Sequence, residues 1–281
     1  MEIFKTKAAL KNYLEPLKQN NQRVALVPTM GALHNGHISL IKIAQQNADI
    51  IICSIFVNPT QFTDPKDLEK YPRPIEHDLL MLNQAGCSAV FMPDVNEMYP
   101  DGKDENWQIN LGNAEFLLEG AFRKGHYQGV TQIVKKLFDA VQPDIAMFGQ
   151  KDFQQILMIK NMLAHFNHPI EIFTCPIIRE EDGLAMSSRN IHLSETDRKN
   201  ALVLNTSLKF VVEHFNDYTL NELIDKASSL YNNIEGVELD YFTIANGNTL
   251  EPAQNKDEPN LVALVAAKVG TTRLIDNMLL V

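Results

Sequence analysis

Apolar residues in the first two-thirds of the chain gather into short unbroken runs, each separated from the next by a turn-rich loop and a segment of helical period. The clearest unit begins with the run 24–27, crosses the loop 28–36 and enters a predicted helix over 37–47. Ile38, Ile41, Ala44 and Ala48 would line one face of that helix, and the run 50–57 follows. A strand this apolar must be covered on both faces, as in a parallel sheet. Further units place helices at 75–85, 129–141 and 151–166 ahead of runs at 89–92, 144–148 and 170–178. The alternation predicts an α/β fold with a Rossmann-like, doubly wound parallel sheet.

Beyond about residue 180 the pattern changes. A polar loop, DGLAMSSRN, precedes amphipathic helices at 195–214 and 220–232, then strand-like segments at 239–245, 261–268 and 273–280. Helices followed by strands predict a smaller α+β domain, so the expected division is 1–177 and 178–281.

Composition narrows the function classes. At 281 residues, with 45% hydrophobic and 21% charged, the chain can bury a large core and is neither disordered nor low-complexity. Lys plus Arg number 25 against 35 Asp plus Glu, and the resulting net charge of −10 opposes a nucleic-acid partner. No apolar stretch approaches the roughly 20 residues that span a bilayer, so no membrane partner is expected. Cys53, Cys87 and Cys175 are odd in number, lack CxxC spacing and lie in apolar runs read as core strands, which fits a reducing cytoplasmic setting.

Open parallel sheets bind ligands outside the carboxyl ends of their strands, so the loops there carry the candidate chemistry. The first contains His34-Asn35-Gly36-His37 and neither a dinucleotide fingerprint nor a P-loop. At a helix start, three-residue spacing puts both imidazoles on one face, Gly36 allows close backbone approach, and the helix N-terminus attracts an anion. This describes a phosphate site. The same histidines could instead be polar caps or part of a metal set, although the HExxH pattern and neighbouring Cys or carboxylate ligands are missing.

Gln61, in Asn58-Pro-Thr-Gln-Phe62, can hydrogen-bond a small polar ligand or merely form a turn. Gly149-Gln150-Lys151-Asp152 puts a lysine at a helix start, where it opposes the dipole unless an anion or solvent takes its charge. Gln154 and Gln155 follow on the first turn. Met186-Ser187-Ser188-Arg189 offers hydroxyls beside a guanidinium, suited to phosphate or simply an inter-domain turn. Taken residue by residue, these features describe a phosphate-binding α/β enzyme. A non-catalytic nucleotide-binding module, or an enzyme that adenylylates a phosphate ester, would use similar parts.

In order, PTMGALHNGHISLI, SIFVNPTQF, FRKGHYQGV, FGQKDFQQ and DGLAMSSRN resemble the pantothenate synthetase family of HxGH nucleotidyltransferases, over essentially the whole chain. The resemblance implies condensation of pantoate with β-alanine, using ATP and Mg²⁺, through a pantoyl adenylate. It implies that His34 and His37 contact the ATP phosphates, with His37 as proton donor, and that Lys151 neutralises phosphate charge. Ser187, Ser188 and Arg189 would clasp the triphosphate from a C-terminal lid domain. Met30, Gly31, Gly36, Gly149, Asp152, Ile178 and Met186 would line the nucleotide, and Gln61, Gln155 and Met30 would hold pantoate and β-alanine. Asp78 is the residue expected to support Mg²⁺ indirectly, and a homodimer is implied. Two departures from the family pattern stand out: Gln150 replaces an expected Glu, and Tyr127-Gln128 replace Phe-Arg after His126.

Overall fold

The computed structural model describes residues 1–62, 65–102 and 106–280. Its contacts divide the chain into one unit of residues 1–149 and 155–176 and a second of 150–154 and 177–281. The single boundary expected at 177/178 therefore misses a segment, 150–154, that leaves the first unit and returns to the second.

Six parallel strands form the centre of the first unit: β1 (Glu2–Phe4), β2 (Val24–Thr29), β3 (Ile50–Ile55), β4 (Ala89–Phe91), β5 (Ile145–Gly149) and β6 (Glu171–Cys175), in the order β1-β4-β3-β2-β5-β6. The apolar runs become strands because helices cover them on both faces. Val24, Leu26, Val27 and Ile52 are fully buried, with Ile41, Ala44 and Leu82 in the core. Strand order reverses at β2, which pairs with β3 on one side and β5 on the other. In an open parallel sheet that switch point is where ligands bind.

Local chemistry moves several expected boundaries. The helix expected over 37–47 is Asn35–Ala44, because His34 rather than His37 occupies its N-cap. The helix expected over 129–141 begins earlier, as His126–Val141, and that over 151–166 divides into a 3₁₀ turn, Gln150–Asp152, and a helix, Phe153–His165. Strand β1 and the helix Lys7–Gln19, which Thr6 caps by accepting from the Ala9 amide, escaped the sequence pattern. Cys87 lies in the turn ahead of β4 and not in a strand, and all three cysteines are buried and free.

The second unit is α+β, as the pattern predicted. Strands β7 (Val237–Asn246), β8 (Leu261–Val269) and β9 (Thr272–Leu279) form an antiparallel sheet. Helices Glu195–Glu213 and Leu220–Ser229 bury Leu204, Leu208, Val211, Leu223 and Ala227 in one cluster with Phe242, Ile244 and Val265 of the sheet. Among the described residues no helix is long and apolar enough to cross a membrane.

Candidate active site

The loop after β2 is shaped by a buried carboxylate. Gly31 (φ +78°) and Ala32 (φ +51°) both take left-handed backbone, strained for alanine by about 1–3 kcal/mol unless its surroundings hold it. Asp78, fully buried on the helix Ile75–Gln84, supplies that hold: its two oxygens accept from the amides of Ala32 (2.8 Å) and Leu33 (2.7 Å). A Cβ at position 31 would stand 2.9 Å from the same carboxylate. Burial raises the Asp78 pKa, and the two amide bonds pull against that rise. Both Asp78 oxygens thus hold the loop amides, a structural role that the expectation of indirect Mg²⁺ support did not include.

This loop delivers the chain to His34. Its Nδ1 accepts from the Gly36 amide (3.2 Å), while the His34 amide donates to His37 Nδ1 (3.3 Å), a reciprocal cap that sets the two rings 4.1 Å apart. The capping and functional readings of the pair are therefore compatible. With both Nδ1 atoms accepting, each neutral ring carries its proton on Nε2.

Gln61 sits in a 3₁₀ turn, Pro59–Gln61, just beyond β3. Its Nε2 contacts Met30 Sδ (3.0 Å), bringing the loops after β2 and β3 together. Beneath it Asn58, 1% exposed, donates to Gln61 Oε1 (3.2 Å) and to the Gly129 carbonyl (3.1 Å), and accepts from Tyr99 Oη (2.7 Å). Burial pushes the Tyr99 hydroxyl up to about 12, its bond to Thr60 opposing. His126 Nδ1 lies 2.7 Å from the Gln61 carbonyl. Asn58, His126 and Gly129 lie within the motif segments, which gave them no supporting role, and Tyr99 lies outside them.

Gly149 ends β5, the neighbour of β2 at the switch point. Among the described residues, chain neighbours aside, a Cβ there would meet no atom within 4 Å, so packing does not require a glycine. Gln155 lies on the first turn of the helix that follows. Met30, Gly31, His34, Gly36, His37, Gln61, Asp78, Gly149 and Gln155 all belong to the first unit.

Lys151, Asp152, Ile178, Met186, Ser187, Ser188 and Arg189 belong to the second. Ile178 and Met186 face each other across a hairpin, the Met186 amide donating to the Ile178 carbonyl (3.0 Å). Arg179 closes the hairpin base with a bidentate pair to Asp276 (2.6 and 3.0 Å). Asn190 bonds Glu180 (2.6 Å) and the Ala185 carbonyl (3.1 Å). Ser187 then caps the turn Ser188–His192 by accepting from the Arg189 amide (3.3 Å).

A sequence model of pantoate-beta-alanine ligase matches residues 2–279. The chain belongs to the pantoate–β-alanine ligase family. Pantothenate synthetase of Porphyromonas gingivalis is 44% identical over 283 residues, 99% of both chains. That of a Thermoanaerobacter species is 43% identical over 272 residues, 96% of this chain and 95% of the relative. Among solved structures, pantothenate synthetase from Thermus thermophilus superposes with a TM-score of 0.92 at 38% identity and 99% coverage of each chain. Pantoate-beta-alanine ligase from Francisella tularensis, complexed with beta-gamma ATP and beta-alanine, gives 0.81 at 35% identity, covering 99% of this chain and 97% of that one.

Membership makes the protein a ligase that joins pantoate to β-alanine, forming pantothenate. Both departures from the ligase pattern have structural work. Gln128 donates to the Ile109 carbonyl (3.0 Å) and to Glu115 (2.8 and 3.0 Å) and accepts from the Ile109 amide (3.2 Å), docking the chain ahead of it. Gln150 pairs with Asn277. Among the described residues no group of three or more His, Cys, Asp or Glu side chains could hold a metal ion.

Proposed function

We propose that this ligase works in two steps on ATP, through an enzyme-bound pantoyl adenylate. The observation that carries the proposal is the reciprocally capped pair His34 and His37, built at the end of the switch strand β2 with both Nδ1 atoms accepting. Donors held in this way suit phosphate oxygens on which charge changes during reaction.

In the first step an oxygen of the pantoate carboxylate attacks the α-phosphorus. The bond from that phosphorus to the bridging oxygen breaks, and the electron pair leaves with pyrophosphate. The carboxylate is ionised at neutral pH and needs no base, so charge stabilisation is the main demand. His34 and His37 donate from Nε2 to phosphate oxygens, with His37 in the proton-donor role, and Lys151 neutralises phosphate charge. Ser187, Ser188 and Arg189 bind the triphosphate. Met30, Gly31, Gly36, Gly149, Asp152, Ile178 and Met186 line the nucleotide, while Gln61 and Gln155 hydrogen-bond pantoate.

In the second step the unprotonated nitrogen of β-alanine, near Gln61, attacks the acyl carbon. The acyl carbon–oxygen bond breaks, AMP leaves with the electron pair, and the new amide nitrogen releases a proton to water. Mg²⁺ would enter with ATP and offset phosphate charge. Asp78 would support it indirectly, through water, while its two oxygens hold the loop amides. The working form proposed is a cytoplasmic homodimer. The family resemblance supports the dimer, and three buried free thiols support a reducing compartment.

Pantoate labelled with ¹⁸O in its carboxylate tests the route. One labelled oxygen should appear in AMP, with pyrophosphate and no ADP, and pantothenate should form only when β-alanine is added. Label found in phosphate released with ADP would replace the adenylate with an acyl phosphate.

A further inference from the structure

Two consecutive residues of β9 reach both segments of the second unit that are proposed to bind phosphate. Asn277, 1% exposed, donates from Nδ2 to the carbonyl oxygens of Gln150 (3.0 Å) and Lys151 (3.1 Å). Its Oδ1 accepts from Gln150 Nε2 (3.1 Å). Asp276, 3% exposed, holds Arg179 at the base of the hairpin that leads into Ser187.

The geometry of the first contact is specific. The carbonyls of Gln150 and Lys151 belong to the two peptide planes that flank the Lys151 Cα, and each plane is rigid. Holding both planes fixes the direction in which the lysine side chain leaves the backbone. The one-turn 3₁₀ segment Gln150–Asp152 could not do this alone, having poor internal hydrogen-bond geometry. Lysine itself is a point charge on a flexible stem, so its backbone origin is what the protein can set. Gln150 completes the lock. The Glu expected here from the family pattern would, as a carboxylate, have no proton to give Asn277 Oδ1.

We propose that Asn277 is a positioning residue for Lys151, locked by Gln150, and that the Asp276–Asn277 step sets the Lys151 segment in register with the 178–189 hairpin. This rests on Lys151 acting on phosphate.

The test measures kcat and KM for ATP, with thermal midpoints, in Asn277→Asp and Gln150→Met, each alone and combined with Lys151→Ala. Asn277→Asp sets an oxygen against two carbonyls, and Gln150→Met removes the lock from a half-buried position. We expect Asn277→Asp to lower kcat/KM about tenfold and Gln150→Met severalfold, as misplaced catalytic groups do. Both losses should vanish on the Lys151→Ala background. Equal losses on that background, or full activity in both single variants, overturn the proposal. If Asn277→Asp fails to fold, Gln150→Met carries the same comparison. Full activity in Lys151→Ala alone would remove the phosphate role of Lys151 and the positioning role with it, and it is recognised without any change at 277.

Discussion

Gly129 lies so close to Thr60 that a Cβ on the glycine would stand 2.3 Å from the Thr60 carbonyl oxygen. The helix His126–Val141 thereby seats the turn that carries Gln61, and Asn58 of the same turn donates to the Gly129 carbonyl. Gly129→Ala must push that turn away. We expect it to lose about 1–3 kcal/mol of stability, as overpacked sites do. KM for pantoate should rise severalfold while KM for ATP changes less, and steady-state kinetics with urea unfolding checks both.

His37 both caps and, as proposed, catalyses. His37→Ala removes the acceptor of the His34 amide, costing about 1 kcal/mol and a few degrees of Tm. Its kcat/KM should fall by about a hundredfold or more. Lys151→Ala should show a comparable kinetic loss with no fall in Tm. Calorimetry beside kinetics separates the two, and full activity in either variant would contradict its assigned role.

The Asp78 pKa is raised above 3.8, chiefly by burial. The folded state therefore binds this proton more tightly than the unfolded chain does. The stability linked to it is fully present below the unfolded value and is lost as pH rises through the raised folded value. Asn cannot titrate there, so wild-type stability minus that of Asp78→Asn should decline as pH climbs from below that value towards neutrality. Urea midpoints at several pH values would reveal it, and a difference that rises with pH would reverse the assignment.

Burial raises the thiol pKa of Cys53 well above its ordinary value and those of Cys87 and Cys175 to about 11. At pH 8 a thiol near 11 is ionised in only about one molecule in a thousand, and the thiolate is the reactive form. A thiol reagent such as Ellman's should find almost nothing in the native protein and three groups after denaturation. Rapid native labelling of one cysteine would show that the segment carrying it opens.

The parallel sheet was legible because runs such as 24–27 and 50–57 are too apolar to leave a face in water. β1 was not, since three residues with two exposed carry no pattern. The chemistry-bearing loops were legible as motifs, but the contacts that shape them were not. Asn58 and Gly129 lie inside two of those motifs, yet they and Asn277 acquire their supporting roles from partners 71, 71 and 126 positions away. Asp78 was singled out through the resemblance for indirect Mg²⁺ support; its bonds to the Ala32 and Leu33 amides, 46 and 45 positions away, add a bracing role that no local pattern displays.

The excursion of residues 150–154 limits how the chain can be dissected. The chain passes between the two units at 149–150, 154–155 and 176–177, so no single scission yields two whole pieces. A fragment of residues 177–281 would retain β9 yet leave the Asn277 carboxamide without the Gln150 and Lys151 carbonyls and the Gln150 side chain that it bonds. A free-standing version needs those five residues grafted back. The natural seams for domain transplantation are thus a matched pair of splices around the Lys151 segment together with the joint after Pro176.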